Sequence, residues 1–184
     1  MLALALCPAV ATAQSVNVRL DAEQLRITAP QLGFLSGEAL QRLRNGIAVS
    51  FSFNIRISKD RYGKPITEAT YRFIVSYDIF EEKFAVNRLS PNPRSVTHLS
   101  GEAAEMWCLD SIALSIGNLS PDQSFWIILE YHSEEPRSSE NSADSGASII
   151  GQLIDVFSRK NQRQESRGSV VGGPFRLSEL RKAR

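Results

Sequence analysis

Cysteine, histidine, methionine and tryptophan each occur only twice in the 184-residue chain. Cys7 falls in the leader described below, which leaves Cys108 alone, so an internal disulfide is excluded. His98 and His132 are not a pair at the spacing of a metal motif, and no cofactor is expected. Glu130 and His132 share one strand face, where a strand-end ion pair is the simpler reading than an acid–base or metal pair. Cys108, between Trp107 and Leu109, reads as a buried thiol; as a nucleophile it would need a base such as His98. There is no Gly-rich phosphate loop, and Gly172-Gly173-Pro174 reads as a turn in the tail. The serine-nucleophile elbow and the zincin pattern are also missing. Glu81-Glu82 and Glu134-Glu135 fall in a turn and a linker, where water solvates both carboxylates of each pair. These gaps argue against catalysis, and a hydrolytic enzyme ranks third among the functions considered.

The opening Met-Leu-Ala-Leu-Ala-Leu-Cys-Pro-Ala-Val-Ala-Thr-Ala is a short apolar run closing on a small-x-small site, followed at once by polar sequence. Residues 1–13 are therefore expected to be a signal peptide, and the mature product to be exported to a bacterial periplasm or cell envelope. Leu6 is too large for lipoprotein processing at Cys7. No later apolar run has transmembrane length.

The clearest fold signal is 47–57, where Ile47, Val49, Phe51, Phe53, Ile55 and Ile57 alternate with Ala48, Ser50, Ser52, Asn54 and Arg56. Period two gives a strand with one face on a core and one in water. A second alternation carries Ala69, Tyr71, Phe73, Val75, Tyr77 and Ile79, and a weaker strand follows over 83–89, making a three-stranded meander. Upstream, Val16, Val18 and Leu20 alternate, then Leu25 and Ile27 after a turn. Downstream, Ile112, Leu114 and Ile116 lead through a turn into 124–132, which reads as another hairpin. Two helices are each introduced by Leu-Ser-Gly-Glu-Ala, at 35–39 and 99–103, with serine as the expected cap and Gly46 stopping the first. The fold class is mainly β: an antiparallel sandwich or strongly curved sheet occupying 14–132, with two short helices and a C-terminal amphipathic helix.

Residues 133–146 hold almost nothing to bury and read as a flexible linker. Over 147–160, Ile149, Ile150, Leu153, Ile154, Val156 and Phe157 form a broad helical apolar face. Residues 161–184 read as a basic tail. From 159 onward eight basic residues meet two acidic ones, although the whole chain carries only +1. Ile149, Ile150, Leu153, Ile154, Phe157, Arg159, Lys160 and Arg163 are thus the expected contacts to an envelope protein or an anionic membrane surface. Nucleic acid is not expected. Trp126 and Ile128 make the 124–132 strand apolar on both faces. This suits a central strand covered by the helix of Met106 and Trp107, or else a site for a small apolar ligand.

The block Leu-Gln-Arg-Leu-Arg-Asn-Gly-Ile-Ala-Val-Ser-Phe-Ser-Phe-Asn-Ile-Arg-Ile, at 40–57, resembles a family of exported bacterial proteins of unknown function. In that family a helix ends in glycine before a long alternating strand, and a Tyr-rich strand like 71–77 follows. The resemblance spans roughly 35–132. It implies an envelope accessory role, since members are often encoded beside a nitrogen-regulation-type sensor kinase, and it carries over no catalytic residue. The expected function is a non-catalytic interaction module, with an apolar-ligand or lipid carrier as the alternative.

Overall fold

A computed structural model describes residues 16–30, 32–117, 119–134 and 166–182. The expected signal peptide, most of the linker, the amphipathic 147–160 segment and all eight of its proposed contact residues lie outside the described residues. Two antiparallel sheets share one core. The smaller has the order β1-β2-β7, from β1 (Asn17–Asp21), β2 (Gln24–Thr28) and β7 (Ala113–Ser115). The larger runs β6-β5-β4-β3-β8-β9, from β3 (Val49–Ser58), β4 (Pro65–Asp78), β5 (Lys83–Ser90), β6 (Arg94–Leu99), β8 (Ser124–Glu134) and β9 (Arg167–Arg176). Helices α1 (Gly37–Arg44), α2 (Gly101–Asp110) and α3 (Leu177–Lys182) complete the domain.

Alternation in β3 and β4 sorts their side chains as expected. Val49, Phe51, Phe53, Ile55 and Ile57 are fully buried, as are Phe73 and Val75. Ile47 and Ile79, at the ends of those patterns, instead fall outside the strands and are exposed. The core is organised by Phe34, which sits in the irregular stretch before α1. Its ring meets Phe51 edge-on at 4.9 Å and Phe53 at 5.0 Å, and it lies 6.0 Å from Tyr131. Phe53 passes the contact to Phe73 at 5.6 Å, and Phe73 to Trp107 of α2 at 6.2 Å. Edge-to-face geometry sets the positive rim of one ring on the negative face of the next. Between the sheets, the Tyr71 hydroxyl donates to the Ala113 carbonyl and accepts from the Ala113 N–H at 3.0 Å.

Four expectations need correction. The 112–116 and 124–132 stretches do not form a hairpin: β7 pairs with β2, whereas β8 lies between β3 and β9. Both edges of β8 are taken by longer partners, and Leu114 is needed beside Leu25 in the core of the small sheet. The 161–184 tail is, from Arg167 on, a sheet strand and a helix, and Val170 and Leu177 are buried in the core. Basic side chains masked this strand, since Arg167 and Arg176 stand exposed at its ends. Gly172-Gly173-Pro174 is not a free turn but a bulge opposite Trp126, with Phe125 facing Phe175 and Ile127 facing Gly172. Gly173 there has φ +135, and a Cβ would come within 3.0 Å of the Phe125 carbonyl oxygen. Finally, α2 does not cover Trp126. Trp107 packs on the core side, and Met106 is exposed.

The two Leu-Ser-Gly-Glu-Ala copies also diverge. Ser100 Oγ accepts the Ala103 N–H at 3.2 Å as expected, but Ser36 Oγ donates to the Gly33 carbonyl instead. Gly37 has φ +56.

Two outcomes follow for the fold. Phe34→Ala should lower stability by about 3–5 kcal/mol in urea denaturation, because Phe51, Phe53 and Tyr131 lose their shared neighbour. The Ser133 N–H donates to the Ser166 carbonyl at 2.8 Å, so the chain leaves and re-enters the sheet on adjacent strands. Replacing 135–165 with a two-residue Asn-Gly turn should therefore keep the native circular dichroism spectrum and cooperative melting.

Candidate functional site

The face of the large sheet turned away from the core is set by the second half of each alternation. Three rungs cross β4, β3, β8 and β9: Arg72-Ser52-His132-Arg167, Thr70-Asn54-Glu130-Ser169 and Glu68-Arg56-Ile128-Val171. Diagonal bonds tie the rungs together. Asn54 Nδ2 donates to Glu68 Oε1 at 2.7 Å, and Arg56 Nη2 donates to Glu130 Oε1 at 3.0 Å. Both ends of the Arg56–Glu130 pair are partly exposed, so it contributes about 0–1 kcal/mol. Trp126 and Ile128, the expected apolar-ligand residues, both stand on this face. Ile128 is only 3% exposed although it lies outside the contiguous core. Beside it, Asn54 Oδ1 is buried without a hydrogen-bond partner among the described residues.

The remaining chemical candidates are not brought together. Cys108 is fully buried on α2, and its thiol is pushed well up by burial and then by the charge of Glu105. That shift opposes thiolate formation, the opposite of what a nucleophile needs. His98 is exposed on β6, with Nε2 3.1 Å from Glu81 and Nδ1 2.8 Å from Thr97 Oγ1. Glu130 Oε1 accepts from Arg56 on the outer face, where His132 stands one rung away on the same strand. Among the described residues, no group of three or more His, Cys, Asp or Glu side chains is placed to hold a metal ion.

Sequence reasoning missed two exposed features at opposite ends of the large sheet. At one end, the turn between β4 and β5 presents Phe80 at 98% exposure and Ile79 at 55%. Asp78 Oδ1 holds this turn by accepting the N–H of Phe80 at 2.8 Å and of Glu81 at 3.1 Å. Ile79 lies against Gly46, the neighbour of the half-exposed Ile47. At the other end, the 59–64 loop presents Tyr62 at 90% exposure. The Arg61 guanidinium lies 5.7 Å from the Tyr62 ring centroid and 6.0 Å from that of Trp126. The signals were available: an apolar pair in a tight turn, and an aromatic residue inside a basic loop, both depart from ordinary turn composition.

Glu105 holds the site's scaffold in place from the core side. One of its carboxylate oxygens accepts the Leu35 N–H at 2.6 Å, which fixes the stretch that inserts Phe34. Burial raises its pKa above the ordinary 4.5, against the opposing hydrogen bonds from Leu35 and Phe34, and the nearby Glu102 charge raises it further. A carboxyl raised in the folded state keeps its proton where the unfolded chain has released it. Stability therefore falls as pH rises from the ordinary value through the folded one, and the penalty persists above it. Glu105→Gln keeps the acceptor and removes that charge. Its stability relative to the parent should rise between about pH 4 and about pH 7, whereas Glu105→Ala should cost about 1–3 kcal/mol for the orphaned N–H, both read from urea midpoints.

The chain matches no family model, no curated protein and no solved structure.

Proposed function

We propose that this protein is a non-catalytic accessory module of a bacterial envelope, working by holding a protein partner at the end of the sheet that carries Ile47, Ile79 and Phe80. The observation that carries this reading is the exposure of Phe80 at 98% beside two half-exposed isoleucines. A phenylalanine held in water by a hydrogen-bonded turn contributes nothing to the fold. Burying it against a partner would contribute about 2–3 kcal/mol. The segment 135–165, with its apolar and basic residues, leaves and re-enters the sheet at this same end, because Ser50 faces Glu134 and Val49 faces Val75. The leader-like 1–13 sequence and the resemblance of 40–57 to exported proteins encoded beside sensor kinases support the envelope setting.

A second reading is an apolar-ligand or lipid carrier. It is favoured by Trp126 and Ile128 standing together amid the polar outer face. The interior is filled by interlocked rings around Phe34, which directs such a ligand to that outer face. Native mass spectrometry of gently purified protein would show the bound mass.

The leading reading is tested by a photo-crosslinking amino acid placed at Phe80 and, as a control, at exposed Thr97. A discrete adduct from position 80 alone is expected in envelopes. The double variant Ile79→Ser, Phe80→Ser should melt within about 0.5 kcal/mol of the parent and bind the crosslinked partner at least about tenfold more weakly. Unchanged binding would remove this end from the mechanism.

A further inference from the structure

The opposite end of the sheet differs in chemistry from the Phe80 end. The 59–64 loop reads Lys-Asp-Arg-Tyr-Gly-Lys, with three basic side chains against one acidic, and Lys59, Asp60, Arg61, Tyr62 and Lys64 are all exposed. The loop is pinned rather than free. Ser58 Oγ donates to the Asp60 carbonyl, and the Gly63 N–H donates to the same oxygen at 3.1 Å. The Asp60 side chain is the loop's only counter-charge. Close by, Ile66 is 38% exposed, and Trp126 lies under the Arg61 guanidinium. The neighbouring strand end adds Arg176, which is paired with Glu179 at 3.9 Å, and the turn before β8 adds exposed Asp122.

Amphipathic rings beside basic groups on a protruding, ordered loop match the two layers of a lipid headgroup region. Tyrosine and tryptophan favour the water–hydrocarbon interface, where the ring is sheltered and the polar edge stays wet. Lysine and arginine are drawn to the negative surface of anionic lipid, and long side chains bury their stems while keeping the charge at the phosphates. We propose that this end of the molecule is a contact surface for an anionic lipid bilayer. Tyr62 and Ile66 enter the headgroup layer, and Lys59, Arg61 and Lys64 meet the phosphates. Arg61 has a second part, since stacking against Trp126 holds it and the loop in a fixed direction relative to the sheet. By strand rise, the 14 residues of β4 separate this surface from the Phe80 tip by roughly 45 Å. A chain resting on a bilayer through the loop would thus hold Phe80 well away from the lipid. This surface stands independently of the partner reading above.

The test uses the full chain with vesicles of phosphatidylglycerol and phosphatidylcholine, and with vesicles of phosphatidylcholine alone, read by co-sedimentation at two salt concentrations. Binding to the anionic vesicles only, weakened by salt, is expected. The triple variant Lys59→Gln, Arg61→Gln, Lys64→Gln should lower the partition coefficient on the order of 100-fold, and Tyr62→Ser should lower it several-fold. Unchanged thermal melting of each variant establishes that these losses are not unfolding. No binding by the parent, equal binding to neutral vesicles, or a triple variant that binds like the parent would each overturn the proposal. The last result would assign the contact to the basic 159–163 stretch instead.

Discussion

The rest of the molecule depends on the insertion of one irregular segment into the space between two sheets. Phe34 belongs to no strand or helix, yet its ring touches Phe51 and Phe53 of β3 and approaches Tyr131 of β8. Irregular backbone is costly in a core unless its polar groups are satisfied, and here Glu105 reaches from α2 to accept the Leu35 N–H. The arrangement exchanges the desolvation of one carboxylate for the placement of a large aromatic group at the centre of the fold. Full burial of Phe34 and of the Phe51 and Phe53 rings beside it shows that the packing term dominates.

That core fixes the outer face indirectly. Because β3 and β8 must direct their aromatic and aliphatic residues inward, their alternate positions are committed to the opposite surface, and strand register decides which of them meet. Arg56 faces Ile128, and Asn54 faces Glu130, because Phe53 faces Tyr131 on the other side of the same strands. A slip of one residue would exchange the faces and unmake both. The tight approach of β9 depends on a small residue in the same way: a Cβ at Gly168 would fall 2.6 Å from the Tyr131 ring.

The two ends of the sheet are less constrained, and there the surface departs from ordinary loop chemistry. The Phe80 turn and the Arg61–Tyr62 loop are each held by hydrogen bonds to their own backbone. Each can therefore present an aromatic ring without borrowing stability from the core. The 14-residue β4 separates these two ends, which differ in chemistry: one presents an apolar turn and the other a basic loop.

By itself the sequence determined the strands whose two faces differ. Alternation of Val49, Phe51, Phe53 and Ile55 with small polar residues has one physical solution, and the glycine stop at Gly46 and the Ser100 cap are equally local. Only tertiary structure decided the rest. β6 has few apolar positions because it lies at an exposed edge, and β9 was concealed by glycines and arginines whose meaning depends on Tyr131, Trp126 and Phe125 beside them. The pairing of β7 with β2 was also invisible, since strand partners compete for edges across the whole chain and hydrogen-bond ladders carry no side-chain signature. For the same reason Trp126 and Ile128 could be placed on a face but not matched with Arg61, Arg56 and Val171, their neighbours from distant strands and loops. Local pattern sets which side of a strand is apolar, and long-range register sets what that side meets.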